Sequence, residues 1–69
     1  MLLSLSPIGE LNRIKAIWAD DDMKKVLKEA GIAVDDDVFV ILRTLDALII
    51  KVNGKRIAIG EELARKIIV

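Results

Sequence analysis

The chain has 69 residues, 11 basic and 11 acidic side chains, a formal net charge of zero, and neither cysteine nor histidine. That length holds one domain with a modest core. The two missing residue types exclude disulfide staples and thiolate or imidazole metal sites, and the balanced charge argues against a nucleic-acid binder working through a basic face.

The stabilising mass is aliphatic: 54% of residues are hydrophobic, with one Trp, one Phe and no Tyr among them. The opening MLLSLSPIG lacks a basic leader and meets Pro7 and Gly9 at once, so it does not read as a signal peptide. No apolar run approaches the roughly 20 residues that span a bilayer. The expectation is a complete, soluble, cytoplasmic domain over residues 1–69.

SLSPIGE is turn-rich, and Leu3, Leu5 and Ile8 are placed to pin the terminus to the core. In ELNRIKAIW, Ile14, Ala16 and Trp18 alternate with Arg13, Lys15 and Ile17, which predicts a half-buried strand. ADDDMKKVLKEAGI predicts a helix. Met23, Val26, Leu27 and Ala30 share one face, and Lys24, Lys25 and Lys28 take the other. Asp20 or Asp21 caps its start, and Gly31 sits where a left-handed C-terminal residue is wanted.

GIAVDDD is a predicted loop. DVFVILR follows as a β-branched strand, apolar on both faces and expected to be buried on both sides. ALIIKV and KRIAI form a hairpin around Asn53-Gly54, the dipeptide favoured in type I′ turns. GEELARKI gives about two helical turns, with Leu63, Ala64 and Ile67 on one side, and IIV ends as a strand. The order β-α-β-β-β-α-β makes a mainly β domain with two short helices, a small barrel closed by pairing the last strand with an early one.

Chemistry-bearing residues are sparse. Clustered carboxylates such as Asp20-Asp21-Asp22 and Asp35-Asp36-Asp37 can hold a hard cation. However, Lys24 and Lys25 stand where a calcium loop needs an acid and a glycine, so helix capping and turn solvation are the better readings. The lysines of the helix are either a docking face or its solvated side, and the solvated side is favoured. Trp18 is either a partner anchor or core, and core is favoured. Ser4, Ser6 and Thr44 have no histidine or cysteine to form a nucleophile–base pair, and the four glutamates are dispersed, so the chain is not read as an enzyme and no cofactor or metal is expected.

Three stretches together resemble the FeoA family. Pro7-Ile8-Gly9 in LSPIGE matches its opening turn, Leu27 and Gly31 in MKKVLKEAGI match its helix end, and VNGKRIAIGEELARKIIV matches its closing segment through Ala64, Ile67 and Val69. The chain departs from the family's pattern in two loops: AVDDD replaces a frequent Pro-Gly pair, and RTLDALII carries no proline. The resemblance implies an SH3-like domain that accompanies the ferrous iron transporter. It would act in the cytoplasm as an interaction module that binds the transporter's GTP-hydrolysing part and modulates uptake. The helix and its exit, Leu27, Lys28 and Ile32, are the expected partner-binding residues, and a homodimer is plausible from the apolar excess. LKEAGIAVDDDVFVIL also resembles swapped-hairpin transcription factors of the AbrB type, and the same SH3-like fold occurs in iron-dependent repressors. Either would make the chain transcription-associated.

Overall fold

β-branched and aliphatic runs punctuated by turn residues set the architecture. A computed structural model describes residues 1–69. After a 3₁₀ turn at Leu3–Leu5 come β1 (Leu11–Arg13), β2 (Ala16–Ile17), α1 (Asp21–Glu29), β3 (Asp37–Arg43), β4 (Ala47–Val52), β5 (Lys55–Gly60), α2 (Glu61–Ala64) and β6 (Ile67–Ile68). Strand pairing is antiparallel throughout. It divides into a four-stranded sheet of order β1-β3-β4-β5 and a two-stranded sheet of β2 and β6.

The single early strand expected from ELNRIKAIW is two strands in different sheets. The Ile14 N–H donates to the Asp36 carbonyl at 2.9 Å, and one residue later the Lys15 N–H donates to the Ile68 carbonyl at 2.7 Å. The chain changes partner between these residues, so the alternation loses its phase. Ile14 and Ile17 are buried, and Trp18 is 72% exposed instead of joining the core.

The Asn53-Gly54 turn has φ of 51° and 78°, both positive as a type I′ turn demands. It sets the β4–β5 register from Val52 opposite Lys55 to Ala47 opposite Gly60. In β3 the inward residues Val38 and Val40 are fully buried, but Phe39 and Ile41 on the outer face are only half-buried. Burial on both sides is thus not met, because no second layer covers that face. β3 and β4 pair antiparallel across a β-bulge between Val40 and Leu42.

The core gathers Leu3, Ile14, Leu27, Ile32, the inner residues of β3 to β5, Ala64, Ile67 and Val69. Of the residues expected to pin the N-terminal segment, only Leu3 does so, while Leu5 and Ile8 are exposed on the turn. The last strand pairs with an early one as expected, with Ile17 opposite Ile67 and Ala16 opposite Ile68. The Val69 N–H adds a bond to the Met1 carbonyl at 2.8 Å.

Candidate functional site

α1 is held by its two ends. The Asp20 carboxylate accepts the Met23 N–H at 2.8 Å, satisfying a donor that the first turn leaves open. At the other end Gly31 has φ of 91°, its N–H donates to the Lys28 carbonyl at 3.0 Å, and the Ile32 N–H donates to the Leu27 carbonyl at 2.8 Å. These are the paired bonds of a Schellman motif, whose usual companion is an apolar contact between the residues at the positions of Leu27 and Ile32. Both lie in the core, 2% and 1% exposed. Only glycine adopts such a φ without steric cost, which explains Gly31.

The helix buries less than its pattern promises. Of the expected face, Leu27 alone is buried; Met23, Val26 and Ala30 are exposed, Val26 at 58%. The helix rests on the core along one line of contact, so its neighbouring stripes stay in solvent. At 100° per residue, Lys24 and Lys28 lie to one side of Leu27 and Val26 and Ala30 to the other.

The lysine side borders a groove of about 480 Å³ between α1 and β2. Lys15 to Trp18 form one wall, Lys24 and Lys28 the other, and Ile32 to Val34 close the end. Two other hollows are less suited to hold a partner. One of about 400 Å³ lies on the outer sheet face around Leu11, Phe39 and Lys51; another of about 420 Å³ at the start of α2 has no apolar lining residue.

Of the three expected site residues, Lys28 and Ile32 line the groove and Leu27 does not. Leu27 supports the helix from beneath and cannot present its side chain to a partner. Trp18 and Lys15 belong to the site although the alternation placed Trp18 in the core. The signal that could have found Trp18 is its position at the strand end, two residues before the helix cap Asp20, where the chain must leave the sheet.

The acidic runs have local tasks. Asp20 caps α1; the Asp36 carboxylate accepts the Ala33 N–H at 3.0 Å; Asp37 pairs with Arg13 at 3.5 Å. No group of three metal-ligating side chains converges. Ser6 is buried, and its hydroxyl accepts from the Asn12 side-chain amide at 2.7 Å. The site offers shape, apolar surface and positive charge, which are means of recognition. No helix is long and apolar enough to cross a membrane.

Solved structures share this fold. A crystal structure of an iron uptake regulatory protein, FeoA, is 25% identical with a TM-score of 0.89, covering 97% of this chain and 91% of that one. FeoA from Stenotrophomonas maltophilia, described as a prokaryotic SH3 domain protein in complex with zinc, is 21% identical with a TM-score of 0.83, covering 100% of this chain and 88% of that one. A manganese-dependent transcriptional repressor is 20% identical with a TM-score of 0.88 over 97% of this chain, which spans only 39% of the repressor. At such identities the last two likenesses establish the SH3-like fold alone. A comparison with curated protein sequences gave no match. The family model described as FeoA domain matches residues 1–69, from the opening turn to the closing strand, and the chain therefore belongs to the FeoA domain family.

Proposed function

We propose that this chain is a cytoplasmic accessory protein of ferrous iron transport, an interaction module that binds the transporter's cytoplasmic GTP-hydrolysing part and modulates uptake. Family membership supports the transport role, and the Stenotrophomonas relative is described as a candidate ferrous iron transport activating factor. The observation that carries the interaction reading is Trp18. The chain's only tryptophan stands 72% exposed at a groove, where an isolated soluble domain gains nothing from it. Tryptophan is enriched among the residues that dominate binding energy.

In this reading the contact surface is the α1 side of the molecule. Lys28 contributes directly, Ile32 lines the bottom of the groove from the core, and Leu27 holds the helix in place. The mechanism is complementarity of surfaces, with no covalent chemistry on this chain. A titration of ¹⁵N-labelled protein with the purified cytoplasmic domain of the cognate transporter, in GDP and GTP-analogue forms, tests it. Shifts or broadening are expected on the α1 side, with a difference between the nucleotide states. Resonances that stay unmoved at high partner concentration would overturn the reading.

A further inference from the structure

Every charged side chain that lines the groove is positive. Lys15 stands on the β2 wall, and Lys24 and Lys28 stand one turn apart on the α1 wall. Three ammonium groups thus gather around an aliphatic floor in a chain whose net charge is zero. None of the three is in an ion pair with a carboxylate of the chain, whose two ion pairs are Arg13–Asp37 and Arg65–Glu61, both elsewhere. A solvated lysine stripe alone would be ordinary. Here it flanks an apolar slot with an exposed indole at its end.

We infer that this groove binds a short acidic segment of a partner protein, which places one apolar side chain in the slot beside Trp18 and carboxylates on Lys15, Lys24 and Lys28. The inference rests on the interaction-module reading above and gives the chemistry of the bound partner. Ile17, Ile32 and Ala16 line the slot, which suits an aliphatic side chain. A nucleic acid fits less well: the groove has no arginine, and the neutral chain offers no extended basic track for a phosphate backbone. The apolar contact would hold the segment, while the lysines would steer it and set its direction. Because the charges sit at the surface, added salt weakens that steering over a Debye length of about 8 Å at physiological ionic strength.

Trp18 is the only tryptophan and there is no tyrosine, so intrinsic fluorescence reads the groove directly. The probe is a capped peptide Asp-Glu-Leu-Glu-Asp, compared with the neutral Asn-Gln-Leu-Gln-Asn and the basic Lys-Lys-Leu-Lys-Lys. The acidic peptide is expected to blue-shift Trp18 saturably and to move amide resonances of residues 15–18, 24–28 and 32–34. It should bind roughly tenfold tighter than the neutral one, the scale of two or three surface charge pairs, and lose this margin as salt rises. The double variant Lys24→Glu, Lys28→Glu, with both positions exposed, should stay folded by circular dichroism, lose the acidic peptide and gain the basic one.

Equal affinity for the neutral peptide, unchanged selectivity in the double variant, or shifts confined to another face would each overturn the inference. So would tighter binding of oligo(dT) than of the acidic peptide at equal ionic strength. A Trp18 shift that grows with protein concentration alone would make the occupant a second copy and also overturn it. The two readings fail separately. A transporter domain that binds on another face sinks the inference and leaves the accessory role, whereas an acidic peptide seated in the groove with no transporter binding does the reverse.

Discussion

The closing segment and α1 treat their apolar residues in opposite ways. The four-residue α2 and the closing residues after it send Ala64, Ile67 and Val69 into the core. The nine residues of α1 send in only Leu27, although their apolar spacing reads more cleanly. β6 is laid between β2 and the N-terminal segment, so Ile67 and, two positions on, Val69 face inward and are buried, with Ile68 between them half-buried. α1 crosses the edge of a small core with room for one of its residues per helix. In so short a chain the surface outruns the core, and apolar residues that find no place inside remain for solvent or for a partner.

The sharpest way to break this contrast is Ile67→Ala. Ile67 is fully buried opposite Ile17, and the substitution should cost about 2–5 kcal/mol, enough to unfold a large share of molecules in a domain of this length. Urea denaturation followed by circular dichroism measures it, and a loss below about 1 kcal/mol would mean that the closing strand is not structural.

Gly31→Ala follows. A side chain at φ of 91° is strained although nothing lies within 4 Å of the added carbon, so the expected cost is about 1–2 kcal/mol. A midpoint equal to the parent's would show that the Schellman turn is not what ends the helix. Asp20→Ala removes the cap on the Met23 N–H and should cost about 1 kcal/mol, with Asp20→Asn recovering most of it. If Asn recovers nothing, the carboxylate's charge matters more than its hydrogen bond.

Val26→Lys and Trp18→Ser should change stability least, within about 0.5 kcal/mol each, since both side chains are mostly in solvent. For Trp18→Ser the contrast with partner binding is the point. A variant as stable as its parent that still binds the transporter domain equally well would remove Trp18 from the contact surface. Leu27→Ala and Ile32→Ala are poor probes of binding, because both residues are core and their loss would act through folding.

Much of the fold was legible locally. Asp20 and Gly31 marked the ends of α1, and Asn53-Gly54 marked the hairpin, because caps and tight turns are decided by residues within a few positions of each other. The pairing of the last strand with an early one was legible from the apolar ending and the need to cover a sheet edge. The site was legible in part. Of the three expected residues, Lys28 and Ile32 line the groove at the helix end they form and Leu27 lies beneath the helix, while Trp18, expected in the core, stands exposed. The alternation that misled for Trp18 assumes a strand with one partner, and this one has two.

The sequence alone determined where the chain turns, where its longer helix starts and stops, and that the fold is mainly β. Those choices depend on backbone preference and on hydrogen bonds between near neighbours. Only the tertiary structure decided that the early strand breaks between Ile14 and Lys15, with Asp36 bonding one side and Ile68 the other. That break turned Trp18 outward beside Lys15, Lys24 and Lys28 and so made the groove. The reason is physical: which face of a residue is buried depends on the distant segments that pack against it, and those are fixed only when the whole chain closes on one core.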